Sequence, residues 1–218
     1  MIQAVFIDID DTVMNSQREI TENTKKVIKE CEKEGIKIIL TSGRSRLDTL
    51  KYQKEIGASP YIISSNGADA WDVEEEKEIY SEPISKQVVI KLLEYAKKNN
   101  CKISLNYNLE LVMNQIFYPD EEDKKRTLEE LTKLVEKENI VQCVMANKEI
   151  EEMVKFKEYL SKDIPEVKIE NESKRLKDLN LKPSSHYYCD ITSSSVSKGK
   201  AVRAMCEYLN VSKENIAT

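Results

Sequence analysis

Ala4-Val5-Phe6-Ile7-Asp8-Ile9-Asp10-Asp11-Thr12 is the stretch whose reading decides the fold. Four apolar residues run without alternation into carboxylates two positions apart, the pattern of a strand buried on both faces and ending in a polar site. Residues two apart in an extended chain project to the same side, so Asp8 and Asp10 converge on one small volume if the extended geometry persists that far. Two like charges so close are costly unless a cation, a shared proton or a phosphate site requires them.

Working outward, Asn15-Ser16-Gln17 reads as a turn, and Thr21 is a plausible N-cap for a helix ending near Gly35 with Val27, Ile28 and Cys31 on its apolar stripe. Ile36–Leu40 reads as a second strand that delivers Thr41-Ser42-Gly43-Arg44. A charged helix follows to about Gly57, and Tyr61–Ser64 makes a third strand that delivers Ser65-Asn66-Gly67. Strand, helix, strand, helix, strand implies right-handed crossovers and a parallel sheet, so three polar turns meet along the carboxyl edge where ligands bind in open α/β sheets. Ser42 and Gly43 offer a hydroxyl and backbone N–H groups for an anion at a helix start. For an isolated Thr-Ser-Gly-Arg, simple capping is the plainer reading, and its place after a strand raises the functional one. Arg44 pairs either with a phosphate or with a local acid.

From Ser81 the pattern changes. Ser85 opens an amphipathic helix carrying Val88, Val89, Leu92, Leu93 and Ala96. A hairpin of Ile103–Tyr107 with Glu110–Met113 follows, then a helix through Leu128–Val135, a strand Ile140–Met145, a helix with Met153, Phe156 and Leu160, and strands at Val167–Ile169 and His186–Ile191. This is an α+β domain, residues 82–190, inserted into a core domain of residues 1–81 and 191–218. After it, Ser193–Lys200 is a polar loop opening a helix with Ala201, Val202, Met205, Cys206 and Leu209 on one face, and Ile216-Ala217-Thr218 begins another strand. Lys198 at that helix start is opposed by the macrodipole, which makes its position notable, although surface lysines are common.

The chain has 218 residues, 40% of them hydrophobic, enough to bury a real core. Thirty-four basic against 39 acidic residues give a net charge of -5, spread along the chain, which argues against a nucleic-acid or anionic-membrane partner. No apolar run approaches a membrane span, and the five cysteines stand singly, so the expectation is a cytoplasmic protein with reduced thiols. One histidine, His186, read as a strand residue, leaves no cluster for a multi-histidine zinc site. The basic loop Lys174–Lys177 reads as a solvated turn, with a phosphorylated sugar as its functional alternative.

Asp8-Ile9-Asp10-Asp11-Thr12, Ser42-Gly43-Arg44, Asn66-Gly67-Ala68 and Val196-Ser197-Lys198-Gly199, in this order over nearly the whole chain, resemble the haloacid dehalogenase superfamily of phosphatases, Cof-type branch. The resemblance implies a Rossmann-like three-layer core with a parallel sheet and an inserted α+β cap that closes over the site, excludes water and chooses the substrate. It implies Asp8 as the nucleophile that becomes an aspartyl phosphate and Asp10 as the acid/base. Ser42, with Gly43 and Arg44, would bind the phosphate, Asn66-Gly67 would form a supporting turn near the mouth of the site, and Lys198 would restrain the developing charge. Mg2+ would sit on the Asp8 carboxylate and the Asp10 backbone carbonyl. The implied ligand is a small phosphorylated metabolite, a sugar phosphate by default. Asp11 occupies a position often held by glycine. The family continues past a strand like Ile216–Thr218 into a Gly-Asp-x-x-Asn-Asp turn whose acids complete the metal site, and these residues are not in the chain. A truncated core with an unpaired Val5-Phe6-Ile7 edge, open to oligomerisation or strand exchange, is therefore expected. A binding protein without turnover and a phosphomutase stay open beside the phosphatase.

Overall fold

A computed structural model describes residues 1–116, 119–172 and 187–218. His186 and the Lys174–Lys177 loop lie outside the described residues. In chain order the elements begin β1 (Ala4–Ile7), α1 (Glu22–Lys33), β2 (Lys37–Thr41), α2 (Arg46–Ile56), β3 (Tyr61–Ser64), β4 (Asp69–Asp72) and β5 (Lys77–Ser81). They continue with α3 (Lys86–Lys98), β6 (Lys102–Tyr107), β7 (Glu110–Met113), α4 (Leu128–Lys137), β8 (Gln142–Asn147), α5 (Ile150–Asp163), β9 (Val167–Glu172), β10 (Tyr187–Ser193), α6 (Lys198–Leu209) and β11 (Ile216–Ala217). The chain divides into two compact units, residues 1–82 with 196–218, and residues 83–195. Because β10 runs on to Ser193 in the second unit's sheet, residues 191–195 sit with that unit.

The first unit is an α/β sandwich around a six-stranded sheet ordered β11-β1-β2-β3-β4-β5. Strands β11, β1, β2 and β3 are parallel, as the alternation of strands and helices requires. Side chains alternate across the sheet: Phe6, Ile39 and Ile63 pack with Ala201, Met205 and Cys206 of α6. Ile38 and Leu40 pack with Ile28 of α1 and Ile56 of α2 on the other face. Each fully buried aliphatic side chain, Ile39, Leu40 or Ile63 among them, contributes about 1.5–3 kcal/mol. Helix α1 starts where its sequence says it should, with the Thr21 hydroxyl accepting from Thr24 N–H, and α2 stops at Gly57 in a left-handed cap.

Two features depart from expectation. The parallel sheet continues into an antiparallel hairpin, β4–β5, whose strands carry Asp69, Asp72, Lys77 and Glu78 and so lack an apolar signature. The β1 edge is covered over its first half: Ala4 pairs with Ile216 and Val5 with Ala217, while Phe6 and Ile7 pair on the β2 side alone.

In the second unit five antiparallel strands run in the order β7-β6-β8-β10-β9. Ile103, Leu105, Cys143, Met145, Cys189 and Ile191 of the sheet pack with apolar residues of α3, α4 and α5 in one cluster. A full capping box at Thr127 and Glu130 starts α4. The intervening sheet positions are polar yet buried, with Asn106 donating to Gln142 at 2.7 Å. Among the described residues no helix is long and apolar enough to cross a membrane.

Candidate active site

The site begins at the end of β1. Asp8 and Asp10 keep extended backbones (ψ 154° and 129°), and Ile9 and Val13 are buried among α1 and α2 residues, so the acids take the opposite side of the chain. The turn closes through Val13 N–H to the Asp8 carbonyl (3.3 Å) and Met14 N–H to the Ile9 carbonyl (2.9 Å). The Asp10 carbonyl stays outside these bonds. Asp11 reverses the chain at φ 57°, a conformation glycine visits freely and aspartate tolerates, which is a physical reason for either residue at this position.

Each carboxylate meets its own cation rather than sharing a proton with the other. Asp8 Oδ1 accepts from Ile9 N–H at 2.9 Å, and Oδ2 lies 3.3 Å from Lys198 Nζ. Lys198 is the first residue of α6, where the helix dipole opposes a positive charge, and Asp8 supplies the compensating negative charge. Asp10 is held by Arg44 in a two-pronged pair, Nε to Oδ2 at 3.0 Å and Nη2 to Oδ1 at 2.9 Å. Arg44 also lies over the Tyr52 ring, 4.8 Å from its centroid. Partial burial lowers the Arg44 pKa, but the hydrogen bonds and charge of Asp10 outweigh it and the net shift is upward. Of the two partners open to Arg44, this structure shows the local acid.

Ser42 is fully buried at the end of β2. Its N–H donates to the Ile63 carbonyl at 2.9 Å and its hydroxyl accepts from Arg44 N–H at 3.2 Å, which leaves the hydroxyl proton to donate elsewhere. Gly43 lies in the same turn, and α2 begins only at Arg46, capped by Ser45, so the helix start does not fall at Ser42-Gly43. Asn66 N–H donates to the Ser42 carbonyl at 3.0 Å, and Ser65 N–H to the Arg44 carbonyl at 2.7 Å. Three consecutive residues, Ser65, Asn66 and Gly67, have positive φ (50°, 60° and 92°). Thr41 Oγ1, Ser65 Oγ and Asn66 Nδ2 are buried without a hydrogen-bond partner, a costly state that an incoming polar ligand relieves.

The donor set suits a hard cation only in part. Among the described residues no group of three or more His, Cys, Asp or Glu side chains gathers to hold a metal. The half-exposed Asp8 carboxylate and the Asp10 carbonyl are nevertheless oxygen donors of the kind Mg2+ takes, since that ion commonly uses one or two carboxylates and completes its shell with water and substrate phosphate.

The structure thus places Asp8, Asp10, Ser42, Gly43, Arg44, Asn66 and Lys198 at the carboxyl ends of β1, β2 and β3 and the start of α6, with direct contacts Asp8–Lys198, Asp10–Arg44 and Ser42–Asn66. The sequence reading missed the buried pair of Arg46 with Asp69, and it marked the Asn66-Gly67 turn without the close approach of Gly67 to the backbone of Ser197 and Lys198.

A model of the haloacid dehalogenase-like hydrolases matches residues 5–218. The phosphatase YwpJ of Bacillus subtilis is 22% identical over 240 residues, covering 99% of this chain and 82% of that protein. Further phosphatase relatives match over shorter stretches, 28% to 51% of their own lengths. Among solved structures, TM0651 of Thermotoga maritima superposes with a TM-score of 0.77 at 25% identity, covering 99% of this chain and 78% of that one. The subclass IIB sugar phosphatase BT4131 gives 0.72 at 19%, covering 98% and 78%.

Proposed function

The chain belongs to the haloacid dehalogenase-like hydrolase family, as an enzyme of the phosphatase kind, and from that premise we propose that it hydrolyses phosphate monoesters of small metabolites, sugar phosphates first, through an aspartyl phosphate on Asp8. The observation that carries the reading is the pairing of two neighbouring carboxylates with two different cations, Asp8 with Lys198 and Asp10 with Arg44. A nucleophile and an acid/base need separate environments, and this arrangement provides them.

In the proposed reaction an Asp8 carboxylate oxygen attacks phosphorus, the P–O bond to the alcohol breaks, and Asp10 delivers a proton to the leaving oxygen. Asp10 then takes a proton from a water that attacks phosphorus, the bond to Asp8 breaks, and inorganic phosphate leaves. Lys198 balances charge at Asp8 and the transferring group, while the Ser42 hydroxyl and the unpartnered Asn66 amide donate to phosphoryl oxygens. Arg44 fixes the direction of the Asp10 carboxyl. Mg2+ held by the Asp8 carboxylate and the Asp10 carbonyl would neutralise phosphoryl charge. We assign residues 83–195 the role of substrate-selecting cap, and a cytosolic location belongs to the same reading, supported by five cysteines that form no disulfide. The sugar-phosphate preference rests on the likeness to BT4131.

Turnover of para-nitrophenyl phosphate and of a metabolite panel with Mg2+ tests this. Asp8→Asn is expected to lower kcat by roughly 10³-fold, about 4 kcal/mol of barrier, with the fold intact by circular dichroism. Equal phosphate release from both proteins refutes the nucleophile assignment. Wild-type release no faster than the variant's favours a binding protein.

A further inference from the structure

The family resemblance gives Gly67 only a supporting place in the Asn66-Gly67 turn, yet Gly67 touches the element that carries Lys198. A Cβ built on Gly67 would lie 2.6 Å from Lys198 N, 2.7 Å from Lys198 Cα and 2.7 Å from the Ser197 carbonyl carbon. All three are backbone atoms, so no side-chain rotation relieves the collision. The contact falls on the first turn of α6, where Ser197 caps the helix through Lys200 N–H at 3.1 Å and Lys198 sends its ammonium to Asp8. The turn bearing Gly67 is tied on its other side to the Ser42–Arg44 loop by Ser65 N–H to the Arg44 carbonyl and Asn66 N–H to the Ser42 carbonyl.

We propose that Gly67 is a positioning residue for Lys198: by lacking a side chain it seats the start of α6 directly on the Ser65–Gly67 turn and thereby sets where the ammonium meets Asp8. The seat adds a backbone contact between the start of α6 and the turn bonded to the Ser42–Arg44 loop, beside the Arg44–Asp10 pair that ties this loop to the end of β1. A side chain here pushes the helix start away from the turn, and the 3.3 Å ion pair lengthens with it. The inference rests on the phosphatase reading for its kinetic consequence but not for its structural one.

The test separates the two. Gly35 provides the control for backbone strain alone, because it also has positive φ (79°) and nothing lies within 4 Å of its Cβ position. In Gly67→Ala, mass-spectrometric measurement of Lys198 acylation by acetic anhydride is expected to show labelling several-fold faster than in wild type, with Gly35→Ala unchanged. This readout needs no turnover. With para-nitrophenyl phosphate, kcat is expected to fall about 10- to 100-fold in Gly67→Ala while KM stays within about twofold, the size of loss that a misplacement of order 1 Å produces. In a Lys198→Ala background the added Gly67→Ala change is expected to cost little more, since a residue acting through Lys198 has nothing left to position. Equal acylation of Lys198 in folded Gly67→Ala and wild type overturns the proposal, as does a full additional loss in the Lys198→Ala background. If Gly67→Ala does not fold, the same labelling on Ser197→Ala, which frees the helix start by removing its cap, decides: faster labelling supports the seat and unchanged labelling overturns it. A wild type without turnover but with the labelling difference leaves the positioning intact and removes the phosphatase reading instead.

Discussion

Arg44 and Arg46 lie two residues apart, and each grips a carboxylate with two hydrogen bonds while its guanidinium rests over an aromatic ring. Arg44 takes Asp10 and Tyr52; Arg46 takes Asp69 at 2.7 and 2.5 Å and Trp71 at 4.2 Å. The chemistry is the same and the solvent is not. The side chains of Arg46 and Asp69 are 4% and 1% exposed, whereas those of Arg44 and Asp10 are 26% and 29% exposed. Breaking a buried pair strands a charge without water, so the Arg46–Asp69 pair, with the Ser64 hydroxyl as a further donor to Asp69, locks α2 to the β3–β4 turn. The Arg44–Asp10 pair keeps a route to solvent, so water can stand in for either partner and an incoming anion for Asp10. One pair sits within the scaffold and the other at the candidate site, and burial is the main difference between them.

The largest effect that sharpens this contrast is on stability. Asp69→Ala is expected to destabilise the protein by about 3–5 kcal/mol, read from urea unfolding followed by circular dichroism, because it leaves the buried Arg46 guanidinium with only the more distant, half-exposed Glu78 carboxylate at 3.7 Å. The double variant Arg46→Met with Asp69→Leu is expected to recover most of that loss, since no charge then remains to be stranded. A loss from Asp69→Ala of less than about 1 kcal/mol would break the comparison.

Arg44→Ala provides the complementary outcome, with a smaller effect on stability and a visible one on turnover. Its unfolding free energy is expected to change by less than about 1 kcal/mol, as partly exposed pairs do. The same change is expected to lower kcat about 10- to 100-fold, because the Asp10 carboxyl loses the fork that aims it. Loss of stability comparable to Asp69→Ala, with unchanged kcat, would make Arg44 a scaffold residue like Arg46.

The smallest effect extends burial to a group that is neutral at pH 7. Burial first, and then the hydrogen bond from its hydroxyl to Glu82 at 2.9 Å, push the Tyr80 pKa up to about 12. An unfolded tyrosine ionises near ~10. The folded state therefore holds its proton more tightly, so this contribution is complete below about pH 10 and is lost as pH rises from about 10 to about 12. Unfolding free energies measured across that window are expected to fall less steeply in Tyr80→Phe than in wild type. Identical slopes would remove Tyr80 as a contributor.

Much of the frame is legible from local pattern. Strands β1, β2 and β3 announce themselves as apolar runs, and α1, α3 and α4 by spacing and caps, so the order of elements and the parallel pairing follow. The β4–β5 hairpin is not legible. Asp69-Ala70-Trp71-Asp72 has no apolar run, and its buried acids are satisfied by groups both near and far: Asp69 by Arg46 and Ser64, Asp72 by the Tyr208 hydroxyl at 2.9 Å and the N–H groups of Glu74 and Glu75. No local rule anticipates a partner 136 residues away. The Ser85 cap shows the reverse error, for α3 starts there without a side-chain hydrogen bond.

In the site, sequence alone determined that Asp8 and Asp10 share one side of the chain beyond β1, because strand periodicity and the buried Ile9 between them allow little else. It also determined that Ser42 and Asn66 arrive at the same sheet edge, since parallel strands end together. Tertiary structure decided which cation each acid meets. Lys198 is 190 positions from Asp8, and the packing of α6 against the sheet and the Gly67 turn brings its ammonium within 3.3 Å of that carboxylate. Arg44 rests over Tyr52 and grips Asp10, a pairing that its sequence neighbours do not specify. The physical reason is range. Periodicity and capping act over a few residues, whereas charge pairing and backbone-to-backbone contact depend on where separate elements come to rest.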